Sequence, residues 1–181
     1  MDLLKLDYTF DAGLILNELI ERKFVPHFMK EWADNGNSAL LLVTTNGEEN
    51  HRFGEPMLPT PDLEAMPYTR SIWDTLNIPL IRSRFMQVAP GGVNQLHIDS
   101  GKWWRDKLRI HIPVKTNPKA KFICGDKSVH MKAGDCWLVN TSEYYHSAIN
   151  DGDEPRTHLV IDVKNTFTGN WNDLSGKHTN A

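Results

Sequence analysis

A chain of 181 residues with 40% hydrophobic content can bury a core of its own, and one compact domain over residues 1–181 is expected. Twenty basic residues against 23 acidic ones give a net charge of -3 with no basic block, which argues against a nucleic-acid partner. No stretch has the cationic start and apolar run of a secretory leader, or the length of a membrane span, so a cytoplasmic protein with no membrane partner is expected.

In chain order, FDAGLILNELIERKFVPHFMKEWA spaces apolar residues at three and four, which predicts one or two amphipathic helices ending at Asp34-Asn35-Gly36. SALLLVTT predicts a strand, the proline-rich stretch from Gly47 to Pro67 a loop, and TRSIWDTLN a short helix. The second half changes character. IRSRFMQV, LRIHIPV, AKFIC, DCWLVN, YHSAIN and THLVIDV are short runs with alternation or β-branched enrichment, separated by PGG, NP, GD, AGD and NDGDEP turns. Strands so spaced predict a mainly β protein, an antiparallel barrel or jelly roll over about 80–164. Helices and loops over about 1–79 would support it, and a polar tail, 165–181, would follow, with Trp171 available to dock. Cys124 and Cys136 both fall in expected strands, where a cross-strand disulfide and two buried thiols are equally compatible with the sequence.

The chemistry centres on His97-Ile98-Asp99. On a strand, a period of two puts His97 and Asp99 on one face, where they can share an ion. An imidazole from a distant strand, His146, would complete the two-histidine, one-carboxylate set that holds non-haem Fe(II) and leaves positions open. The plainer readings are a solvated pair at a hairpin and a core histidine beside Tyr144 and Tyr145. Arg156, at the start of THLVIDV, shifts the balance, because an inward arginine is costly unless it meets an anion, and its planar fork suits a carboxylate. On LRIHIPV, alternation puts Lys107, Arg109 and His111 on one face, toward solvent or a polar interior, and Leu108, Ile110 and Ile112 on the other. Trp103 and Trp104 could cap a cavity or pack a loop. Gln87 and Gln95 could offer polar contacts at the mouth, whereas a turn role suffices for Asp126 and Asp135.

APGGVNQLHIDSGKWWRDKLRIHIPV followed by FICGDKSVHMKAGDCWLVNTSEYYHSAINDGDEPRTHLVIDV resembles the aspartyl/asparaginyl β-hydroxylase family of 2-oxoglutarate-dependent dioxygenases. The likeness covers about residues 80 to 164. It implies a cupin-like double-stranded β-helix in which Fe(II), 2-oxoglutarate and O2 serve a hydroxylation. By the same resemblance His97, Asp99 and His146 hold the iron, Arg156 meets the distal carboxylate of 2-oxoglutarate, and Arg109 and His111 line that cavity. A family member acting on epidermal-growth-factor-like domains has glycine where this chain has Asp99, so the chain looks nearer to the proline 3-hydroxylase branch, which keeps HxD. A free amino acid or small carboxylate, held by Arg109 and Lys107 beside Trp103, is therefore the expected substrate. Hydroxylation of an Asp, Asn or other residue in a peptide or protein is one alternative. A metal-binding cupin without oxygenase activity, or a silent binding barrel, is another. The oligomeric state is left open.

Overall fold

In the computed structural model, residues 1–22, 36–48 and 52–165 are described. Along the chain they form β1 (Leu3–Thr9), α1 (Ala12–Glu21), β2 (Asn37–Thr45), β3 (Met57–Pro59), α2 (Pro61–Glu64), α3 (Pro67–Leu76), β4 (Ser83–Val88), β5 (Val93–His97), β6 (Lys107–Lys115), β7 (Ala120–Cys124), β8 (Lys127–Val129), β9 (Asp135–Val139), β10 (His146–Asn150) and β11 (Arg156–Lys164). One sheet runs β1-β9-β6-β11-β4-β2-β3, and a second runs β5-β10-β7-β8. From β4 onward the chain alternates between these sheets, apart from the β7–β8 hairpin within the second, in the manner of a double-stranded β-helix, and the eight strands of that core lie within the span expected from the turn spacing.

Alternation on β6 and β11 sorts the interior from the exterior. Leu108, Ile110 and Ile112, with Leu159, Ile161, Phe85 and Leu138, form the main apolar cluster with Ile15 and Leu19 of α1 and Ile72, Trp73 and Leu76 of α3. Fully burying each such side chain is worth about 1.5–3 kcal/mol. The helices therefore back the large sheet from outside. The opposite faces of β6 and β11 turn Arg109, His111, Arg156, His158 and Asp162 inward; all five are buried.

Local signals fix the helical layer. The Asp11 carboxylate accepts from the Gly13 and Leu14 N–H groups at 2.9 and 3.0 Å and starts α1. Glu18 of α1 then accepts from the Tyr68 and Thr69 N–H groups at 2.7 and 2.9 Å, capping α3 from a neighbouring helix. Asn77, at φ 50°, ends α3 in the left-handed conformation.

Four elements went unforeseen in the sequence: β1, β3, α2 and β8. In β1 the apolar residues do not alternate cleanly, since Leu3 and Leu4 are adjacent, and a register shift between Leu6 and Thr9 also interrupts its pairing with β9. Both β3 and β8 have only three residues, and β3 ends in a proline inside the expected loop. The second part of the N-terminal helical expectation, FVPHFMKEWA, and Trp171 lie outside the described residues.

Asn150 closes the end of the barrel where β10 turns toward β11. Its amide nitrogen lies 2.9, 3.1 and 2.8 Å from the carbonyls of Val88, Ala89 and Glu154, and its side-chain oxygen accepts from Asn117 and the Gly152 N–H. Its backbone also bonds both ways across the Gly91-Gly92 turn, where Gly91 has φ 70°. Asn150→Ala should cost about 3 kcal/mol of stability, since buried carbonyls lose their donor, and a urea unfolding curve measures this directly.

Cys124 and Cys136 are free and buried, one in each sheet, so the disulfide alternative does not hold. Burial, reinforced by Asp2, pushes the Cys124 thiol up to about 11, and burial with Asp135 pushes Cys136 up to about 12. Both should resist a thiol-specific disulfide reagent at pH 8 in the native protein and react once it is unfolded. Rapid modification of the folded chain would contradict their placement.

Candidate active site

His97 is the last residue of β5, and His146 the first of β10; these two residues pair across the antiparallel ladder. Their rings lie 4.2 Å apart, centre to centre. Asp99 is not on the strand, contrary to the period-of-two expectation. Pairing with β10 stops at His97, and the chain turns so that the Asp99 N–H donates to the Thr141 carbonyl at 2.9 Å, beyond the end of β9. The loop nevertheless returns the carboxylate: His97 Nε2 is 3.8 Å from Asp99 Oδ1, and His146 Nε2 is 3.8 Å from Asp99 Oδ2. One ligand atom from each of the three residues falls within 4.8 Å of the others.

This arrangement fits a metal ion. His97 Nδ1 lies 2.6 Å from the Gln95 carbonyl and His146 Nδ1 lies 3.3 Å from the Tyr144 carbonyl. A carbonyl only accepts, so each ring carries its proton on Nδ1 and presents the Nε2 lone pair to the centre. His146 Nε2 is buried without a hydrogen bond, and Asp99 Oδ2 meets Arg109 Nη1 at 2.9 Å, which leaves Oδ1 facing His97. Burial pushes His146 down to about 4, with His97 and Arg109 adding to it and Asp99 opposing, so the imidazole is neutral at neutral pH. For Asp99, burial alone would raise the carboxyl, but Arg109 foremost, then Thr141 and His146, outweigh it and hold the pKa below the usual value. Two imidazoles that turn Nε2 toward one carboxylate are the donor set of a divalent transition metal.

Behind the triad, a narrow interior cavity is lined from both sheets, by Arg109, His111 and Arg156 on one side and by Asn94, Phe122 and His146 on the other. Arg156 is 4% exposed and, among the described residues, meets no carboxylate. Its Nη2 donates to His158 Nδ1 at 3.0 Å, and its guanidinium lies 6.0 Å from the Phe122 ring centre. Burial pushes Arg156 down to about 9; burial first, then Arg156, pushes His158 well below its ordinary value and keeps it a neutral acceptor. His111 is likewise kept neutral by burial and the surrounding arginines, and both its ring nitrogens are buried without partners. A larger cavity of about 530 Å³ lies on the outer side, lined by Leu16, Leu19, Ile20, Gln87, Lys115, Pro155 and Thr157. It contains no metal-ligand set, so the chemistry belongs to the smaller interior space.

The model of the Aspartyl/Asparaginyl beta-hydroxylase family matches residues 38–166. The chain belongs to this family. The match begins at β2, so it reaches well ahead of the motifs, which start near residue 80. Over 131 residues the family member is 25% identical to L-proline cis-3-hydroxylase 1 of a Streptomyces species, covering 68% of this chain but 45% of that relative. A 2OG-Fe(II) oxygenase family oxidoreductase from Burkholderia pseudomallei has the same fold, with TM-score 0.61 and 13% identity, covering 91% of this chain and 84% of that one. A Trichoplax adhaerens prolyl hydroxylase, in complex with a hypoxia inducible factor oxygen degradation domain peptide fragment, gives 0.60 and 11%, covering 91% and 84%.

The other expected site residues are placed less simply. Arg109 is already engaged: Nη1 meets Asp99 Oδ2 at 2.9 Å, Nε meets Asp162 Oδ1 at 3.0 Å, and its guanidinium stacks 4.4 Å from the Trp104 ring centre. Lys107 Nζ pairs with Asp106 and sits 4.8 Å from the Trp103 ring centre, while Phe53 joins both tryptophans. Trp104 thus lies nearer the triad's arginine than does Trp103, which packs against the outer apolar cluster. Gln87 is not at the mouth; it donates to the Thr157 hydroxyl on the outer side. Gln95 contributes its carbonyl to His97, and Asp135 pairs with Lys5 at 2.8 Å rather than serving a turn alone. Sequence reasoning missed Arg82, Arg84, His158 and Asp162. The signal was present in the inward alternation Arg84-Met86-Val88 and Arg156-His158-Val160-Asp162, which is charged where a barrel interior is ordinarily apolar.

Proposed function

We propose that the protein is an Fe(II)- and 2-oxoglutarate-dependent dioxygenase that hydroxylates an unactivated C–H of a free amino acid or a similarly small carboxylate. The observation that carries this reading is the juxtaposition of three convergent metal-ligand atoms with Arg156, a buried cation lacking a carboxylate partner among the described residues. The similarity to a proline hydroxylase supports it, although the chain spans less than half of that relative's length.

On this reading His97, Asp99 and His146 hold the metal through Nε2, a carboxylate oxygen and Nε2. The Fe(II) centre with 2-oxoglutarate and O2 supplies the oxidising power, consuming both cosubstrates to succinate and CO2 as one oxygen atom enters the substrate. Arg156 receives the distal carboxylate of 2-oxoglutarate, and His158 fixes the direction of that guanidinium by accepting from Nη2. His111 lines the same cavity, free to bond through either ring nitrogen. Arg109 holds Asp99 in place through Oδ2, and Lys107 with Trp103 forms the rim on the substrate side.

Succinate release across a panel of free amino acids, and of peptides containing Asp or Asn, tests the reading. Fe(II)-dependent succinate coupled to hydroxylation of a free amino acid is expected. Turnover on peptides alone would transfer the activity to a protein substrate, and no Fe(II)-dependent succinate with any member would reject it.

A further inference from the structure

Three guanidiniums crowd the interior beside the triad, and one of them has no partner for much of its donor set. Arg84 projects inward from β4, opposite Val160 of β11 and on the same face as Met86 and Val88, both of which line the interior cavity. It is 1% exposed, and its Nε and Nη1 are buried with no hydrogen bond. Arg82, 4% exposed, reaches Asp162 only at 3.9 Å, and its Nη1 makes no hydrogen bond either. Arg109 spends its contacts on Asp99 and Asp162. Arg82, Arg84 and Arg109 therefore share two carboxylates, and in the proposed function Asp99 belongs to the metal. Asp162 pairs with Arg109 and, more distantly, Arg82, and among the described residues Arg84 has no carboxylate partner. Guanidinium groups do not give up their proton in proteins, so the uncompensated charge on Arg84 persists and calls for an anion beside it.

Arg156 cannot account for this demand. It stands four residues toward the other end of β4's register, opposite Val88 where Arg84 is opposite Val160, and has its own histidine neighbours. Arg84 and Arg156 thus stand at separate positions along β4, four residues apart in register. We propose that Arg84, backed by Arg82, is the anchor for the carboxylate of a free amino-acid substrate; the assignment rests on the proposed hydroxylase reading. Because Arg84 is enclosed, the carboxylate has to enter with a small molecule. This moves the anchoring role away from Arg109 and Lys107, whose charges are met by Asp99, Asp162 and Asp106.

Anaerobic calorimetry on the full chain loaded with Fe(II) separates the two levels. The first titrant is 2-oxoglutarate; the second, added to the saturated protein, is each of the twenty free amino acids and then the matching carboxamides. The expected result is one or more amino acids that bind, with carboxamides weaker by roughly 30-fold or more. Arg84→Gln should retain 2-oxoglutarate affinity and weaken the amino acid by a similar factor. If 2-oxoglutarate itself does not bind wild type, the hydroxylase reading fails. If it binds but no amino acid follows, or carboxamides bind as well as acids, the anchor is refuted, and this wild-type comparison stands even if Arg84→Gln fails to fold. Loss of 2-oxoglutarate affinity in folded Arg84→Gln would instead assign Arg84 to the cosubstrate and overturn the proposal.

Discussion

His146→Ala should lower Fe(II) affinity by more than about 100-fold while leaving the barrel folded. Altering a group that merely orients a metal ligand commonly costs 10–100-fold, and this substitution removes the ligand itself. The side chain contributes little else: its Nδ1 contact with the Tyr144 carbonyl is long, at 3.3 Å, and its Nε2 has no hydrogen bond. The backbone pairs of His146 with His97 and Cys124 do not depend on the imidazole. Anaerobic equilibrium dialysis, with circular dichroism of the apo protein as the control for folding, would show whether metal loss occurs without loss of the sheet. Retention of Fe(II) by the variant would mean that His146 is not a ligand.

Arg156→Met should act in opposite directions on cosubstrate binding and on the apo protein. Removing one partner from a desolvated charge pair costs about 2–5 kcal/mol, so 2-oxoglutarate should bind roughly 30-fold to several thousandfold more weakly. Without 2-oxoglutarate, Arg156 is a buried charge facing no carboxylate among the described residues, and an apolar side chain of similar length relieves that cost. The melting temperature of the apo variant should match or exceed wild type. Fe(II) affinity should be unchanged, because Arg156 is not among the three ligand residues. Comparing calorimetric 2-oxoglutarate binding with thermal melts tests both signs; unchanged 2-oxoglutarate affinity would remove Arg156 from its assigned role.

Much of this was legible in the sequence because strands β4, β6, β7, β9, β10 and β11 are punctuated by turn residues and carry β-branched or alternating side chains. Alternation on LRIHIPV correctly separated Leu108, Ile110 and Ile112 from Arg109 and His111. Alternation could not reveal the end of a strand: β5 stops at His97 because its pairing with β10 stops there, a tertiary fact, and Asp99 reaches the centre through a loop tied to Thr141. Nor could it foresee pairing among inward charges. Arg109 looked free to receive a ligand until Asp162, far along the chain on β11, was found bonded to its Nε. Arg84 lies in IRSRFMQV, and only the sheet pairing reveals that its face turns inward.

The most direct measurement is anaerobic addition of Fe(II) and then 2-oxoglutarate to the purified chain, followed in the visible region. A metal-to-ligand charge-transfer band should develop with wild type, be absent in His146→Ala, and require much higher 2-oxoglutarate in Arg156→Met. No band with wild type, or an unaltered band in His146→Ala, would contradict a metal centre built from His97, Asp99 and His146.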